Sequence, residues 1–114
     1  MISKELNLKL IEFLPEIKEL YEEEVSWQEG DETGSHIVFS DVFVPYILKN
    51  FDNAEITKKN FKVIEDILNL HDEYADEVIA LSVLENLFYE ENIIDKVNEH
   101  LGLLSRKAFE QFKA

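Results

Sequence analysis

The chain has 114 residues and 13.4 kDa, which is room for one domain with a single core (residues 1–114) and excludes a multi-domain machine. Hydrophobic residues make up 46% and charged residues 32%, so the chain can bury enough apolar surface to fold, and a disordered segment is excluded. Eleven basic residues against 25 acidic ones leave −14, which disfavours nucleic acid and anionic membrane surfaces, and the absence of cysteine excludes disulfides, thiol nucleophiles and cysteinyl metal sites.

Three glycines and two prolines punctuate the sequence, and apolar residues recur at spacings of three and four, so the fold class expected is all-α. Leu6, Leu10, Phe13, Ile17, Leu20 and Tyr21 form one stripe across Pro15, consistent with two helices or one kinked helix. Ser3 is a candidate N-cap for the first, and Pro15 followed by Glu16 suits the first turn of the second. The polar run QEGDETGSH from Gln28 to His36 ends that helix. In the next segment Ile37, Phe39 and Phe43 alternate like a strand, while Tyr46, Ile47 and Phe51 suit a helix around Pro45. A short extended segment near residues 37–40 followed by a helix is expected.

Asp52 and Glu55 have capping-box spacing ahead of a helix from about Ala54 to Leu70. From Tyr74 to Tyr89 apolar side chains surround most of the circumference, the pattern of a central helix with Leu81, Leu84 and Leu87 in the core. Asn92 and Asp95 open a short helix that Gly102 would end with a left-handed cap, and Leu104, Ala108, Phe109 and Phe112 form the last one. The expectation is a compact bundle of about six or seven short helices. No stretch approaches the roughly 20 apolar residues of a membrane span, and the acidic first turns do not form a signal peptide. A cytoplasmic protein is expected.

The acidity is regional. Residues 1–36 hold ten acids and three lysines, and residues 71–99 hold nine acids and one lysine. In the first region Glu22, Glu23 and Glu24 lead into Trp27, Glu29, Asp31 and Glu32. An acidic run is ordinarily a solvated face; here it is also a candidate docking surface for a basic partner, with Glu22, Glu23, Trp27, Glu29, Asp31 and Glu32 as the partner-binding residues. A lone tryptophan is more often a core residue pinning a helix end, but an aromatic rimmed by charge is also how interface anchors are built.

Signals for chemistry are weak. His36, His71 and His100 are the groups that titrate near neutrality, but none sits in a Glu-x-x-His pair or a His-Glu-x-x-His motif. His71 beside Asp72 and Glu73 is the one place where carboxylates and imidazole adjoin, and a capping or surface histidine is the plainer explanation. The loop from Glu29 begins like a calcium loop but places Ser40 where the bidentate glutamate belongs. No serine sits in a nucleophile elbow, and no glycine loop cradles phosphate. Neither catalytic residues, a cofactor nor a metal is therefore expected, and nothing fixes an oligomeric state.

The stretch FLPEIKELYEEEVSWQEGDETGSHIVFSDVFVPYILKNF, Phe13 to Phe51, resembles the N-terminal half of small acidic bacterial proteins classed as a domain of unknown function. In size and charge the chain is similar to immunity proteins. On electrostatic grounds, since complementary charge speeds encounter with a cationic partner, the expectation is a non-enzymatic binding protein, an immunity- or antitoxin-like inhibitor of a partner with a basic surface such as a toxin. The competing expectations are a metal-assisted hydrolase or nucleotide-processing helical enzyme using the carboxylates around His71, and a structural or regulatory subunit.

Overall fold

The computed structural model describes residues 1–112, and among them it forms seven helices and no strand. We label them α1 (Ser3–Phe13), α2 (a 3-10 turn Pro15–Ile17 running into Lys18–Val25), α3 (35–49), α4 (Ala54–Leu68), α5 (73–88), α6 (Ile94–His100) and α7 (Leu103–Phe109, closed by a 3-10 turn Glu110–Phe112). Leu14 leaves the helical region at φ −135° and ψ 72°, as the residue before a proline prefers, and Pro15 then starts α2 at the position where its missing N–H costs nothing.

Three termini differ from expectation. Ser3 does not cap α1; its hydroxyl bonds the Tyr74 hydroxyl at 2.8 Å and accepts the Ser35 N–H, so tertiary contacts claim it. The cap of α4 is Asn53, whose side chain accepts the Ile56 N–H, rather than Asp52. Gly102 is not a left-handed cap, since its φ is −83°; it opens α7 instead. A Cβ there would meet the Glu65 carboxylate at 2.6 Å, and that carboxylate caps α7 by accepting the N–H groups of Leu104 and Ser105.

The extended segment expected near residues 37–40 is helical. Residues 35–49 form one continuous helix in which Phe39–Phe43 is a π turn, with the Val44 N–H bonded to the Phe39 carbonyl five residues back. The apparent alternation of Ile37, Phe39 and Phe43 is misleading because the buried set is Ser35, Val38, Phe39, Val42, Phe43, Val44 and Ile47, which recurs at helical spacings of three and four. The widened turn sits just ahead of Pro45, whose ring would clash with the Asp41 carbonyl in a regular helix.

Helix α5 is central, as its pattern indicates, and it too contains a π turn, Ile79–Leu84. The two π turns pack against each other, which joins the middle of α3 to the middle of α5. Leu84 and Leu87 are fully buried, but Leu81 is exposed: Ala75, Val78, Ile79, Ser82 and Val83 define the inward face, and Leu81 falls opposite it. Around these helices one buried cluster runs from Leu6 and Leu10 of α1 through Phe39 and Phe43 to Phe109 of α7. The radius of gyration, 13.1 Å, matches the roughly 13 Å of a close-packed chain near this length. No helix among the described residues is long and apolar enough to cross a membrane.

Candidate functional site

Helix α2 ends by turning Val25 into the core and sending the chain outward, so Trp27, two residues on, is 69% exposed. Ser26 steadies this exit by donating its hydroxyl to the Glu23 carbonyl, and the Gln28 amide holds the Glu24 carboxylate at 3.2 Å. Leu20, Glu23, Glu24 and Trp27 thereby share one face at spacings of three, four and seven. Facing them on α3 are Asp41, Val42, Pro45, Tyr46, Lys49 and Asn50, and the two sets enclose an open groove of about 480 Å³. Its apolar surface comes from Leu20, Val42, Pro45 and Tyr46; its charges are three carboxylates against the one ammonium of Lys49. Burial, and secondarily the charge of Glu16, raises the Tyr46 hydroxyl above its ordinary value, so the phenol stays neutral. Glu16 itself lies below the carboxylate range because Lys59 bonds it at 2.7 and 3.0 Å.

All six residues expected to bind a partner are exposed, on α2, the turn that ends it and the loop that follows. Glu23 and Trp27 line the groove. Glu22 is exposed and faces Lys18 at 3.8 Å, while Glu29 and Glu32 are exposed on the following loop. Asp31 holds the loop to the helices, since its carboxylate accepts the Tyr21 hydroxyl at 2.7 Å and its carbonyl accepts the Asn7 amide. Burial, then the bond to Asp31, drives the Tyr21 hydroxyl far above the usual tyrosine range. The core location for Trp27 is overturned. Leu20, Glu24, Asp41, Val42, Pro45 and Tyr46 are groove residues that sequence reasoning misses. The α2 side is legible as a helix face, but the α3 side is obscured when residues 37–40 are read as extended.

Further cavities lie elsewhere among the described residues. One of about 380 Å³ is lined by Leu68, His71, Asp76, Ala80 and the α7 residues Leu104, Lys107, Ala108 and Gln111. His71 occupies the left-handed region at φ 52°, and the carboxyl that shares its cavity is Asp76, raised above its ordinary value by burial. Asp72 instead caps α5 through the Ala75 N–H, the main cause of its lowered value, and also pairs with the Met1 amino group. Among the described residues no group of three or more His, Asp or Glu could hold a metal. A second cavity, about 490 Å³, contains Phe13, Lys58, Lys59 and Lys62 with Glu55 and Asp66; Lys59 is paired to Glu16 and Lys62 to Asp66. A third, about 280 Å³, lies beside Phe51 and His100.

His36 of α3 contacts Ser82 of α5 at 2.6 Å through Nδ1, and its Nε2 lies 3.7 Å from Glu77. The order Ser, His, Glu resembles a nucleophile relay, but Ser82 is 6% exposed and sits within the π turn that meets α3. The contact fastens the first turn of α3 to the π turn of α5.

A family model described as "Domain of unknown function (DUF7674)" matches residues 7–114. No curated protein and no solved structure matches the chain.

Proposed function

The chain belongs to the DUF7674 family, a domain of unknown function, and on that premise we propose that it is a cytoplasmic, non-enzymatic binding protein that docks a protein partner with a basic surface. An immunity- or antitoxin-like inhibitor, covering the cationic active site of a toxin, is the most concrete form of this reading. The observation that carries it is Trp27, exposed at 69% on a face whose other residues are Leu20, Glu23 and Glu24. An unpaired tryptophan among carboxylates offers a partner apolar area at low entropic cost and a field that draws cations. The net charge of −14 extends that field and accelerates encounter with a basic surface.

A neighbouring gene product with a basic surface is the kind of partner to test first. Its association rate, followed by stopped-flow Trp27 emission, should fall steeply as salt shortens the Debye length below about 10 Å. A rate indifferent to salt, or no binding, would remove the support for this reading.

A further inference from the structure

Of the exposed features of the molecule, the groove between α2 and α3 says most about its occupant. Resting on the proposal of a basic partner, we infer that the groove takes an amphipathic helix of that partner, with apolar side chains on its inner face and Lys or Arg along its flanks.

Shape, backbone chemistry and charge point the same way. The α2 wall runs from residue 20 to 27 and the α3 wall from 41 to 50, so each spans about two helical turns at 1.5 Å per residue. A groove of about 480 Å³ and that length receives two or three side chains from one helix face, at spacings of three, four and seven. A β-strand segment would need a sheet edge to pair its N–H and C=O groups, and no strand exists among the described residues. A helix arrives with those groups already bonded and needs only side-chain contacts. Glu23, Glu24 and Asp41 oppose Lys49 alone, so flanking cations gain and flanking carboxylates lose. Trp27 at the rim supplies a ring face on which a guanidinium or ammonium can stack.

The test uses the full chain and three tryptophan-free 18-residue peptides: a Leu/Lys peptide with leucines at helical spacing, the same composition scrambled to destroy the apolar face, and the Leu/Glu counterpart of the first. Trp27 is the single tryptophan, so its emission reports the groove directly. The helical Leu/Lys peptide should bind saturably with a blue shift, at least tenfold more tightly than the scrambled one, and the Leu/Glu peptide should not bind. Leu20→Asp, at an exposed position that leaves the melting temperature in place, should weaken binding tenfold or more, and Lys49→Glu should strengthen it. Equal binding of the helical and scrambled peptides, or indifference to Leu20→Asp, overturns the helix-in-groove inference. If in that case Glu29→Lys with Glu32→Lys still weakens binding, a basic partner stands and docks on the loop. If no cationic peptide binds at low salt, both proposals fall. Sedimentation showing a dimer that Leu20→Asp dissociates would mean the groove receives a second copy, which also overturns the inference.

Discussion

The two acidic regions of this chain carry nearly the same net charge and put it to different uses. In the second, from residue 71 to 99, the carboxylates serve the central helix: Asp72 caps α5, Asp76 faces a cavity against α7, and Glu77 approaches His36. In the first, Glu23 and Glu24 rim an apolar groove with an exposed tryptophan at its edge. Leu81 and Tyr89 are exposed in the second region as well, yet they line neither the groove nor the cavities beside His71, Lys59 and His100. Charge alone therefore does not distinguish a solvated face from a docking face; the arrangement of apolar surface beneath the charge does.

The difference can be broken most severely in the core beneath the second region. Leu84 of α5 is fully buried, so Leu84→Ala should cost about 2–5 kcal/mol in denaturant unfolding. Leu81→Ala on the same helix and Leu20→Ala in the groove should each stay within about 0.5 kcal/mol, because both side chains are already half in water. A Leu20→Ala loss as large as that of Leu84→Ala would make the groove part of the core and end the contrast.

A smaller effect is expected where the first region is tied to the fold. Tyr21→Phe removes the hydroxyl that Asp31 accepts and should cost about 1 kcal/mol, the net worth of one such bond. Because the loop bearing Glu29 and Glu32 hangs from that contact and from Asn7, the variant should also exchange its loop amides faster. Unaltered exchange across residues 28–34 would show that Asn7 alone holds the loop.

Helix periodicity makes most of this architecture legible, since the seven helices follow from spacings of three and four. What escapes it is whatever depends on contacts between distant segments. The π turn of α3 arises where Pro45 and the packing against α5 act together, and a local pattern of Ile37, Phe39 and Phe43 reads as a strand without them. Gly102 reads as a left-handed cap because its true reason, the approach of a carboxylate 37 positions earlier at Glu65, leaves no trace in the neighbouring residues. Half of the groove is hidden for the same cause as the π turn. Trp27 stands out because its acidic setting is local, and its exposure then removes the core role that composition leaves open.

The acids of the second region should betray their structural roles through pH, with opposite signs. Asp72 has a lowered value in the fold, so its contribution is present above the ordinary carboxylate range and is lost as pH falls through the folded value. Asp72→Ala should thus lower the melting temperature at neutral pH and approach wild type in acid. Burial raises Asp76, so its ionised form opposes folding, and that penalty is relieved as pH falls through its raised value. Asp76→Asn should therefore melt above wild type at neutral pH, the gap closing on acidification. Two parallel curves would mean that neither carboxylate is coupled to the fold.

The smallest effect on stability is expected in the first region, where it should coincide with the largest effect on association. Glu23, Glu24 and Asp41 all line the groove, and Asp31 is left out because it bonds Tyr21 and would confuse binding with folding. Reversing the three to Lys should shift stability by no more than about 0.5 kcal/mol, since exposed charges in a chain of −14 contribute little and repel one another. The same triple reversal should slow association with a basic partner and flatten its salt dependence, because the steering field at the groove changes sign. Trp27→Ala should act on the other rate, leaving encounter untouched and raising dissociation, as loss of an anchor does. Making the matching reversal at Glu73, Glu90 and Glu91, all exposed, keeps the change in net charge the same and moves it to the second region. If that control slows association equally, the chain attracts its partner through total charge, and the groove has no privileged part in the encounter.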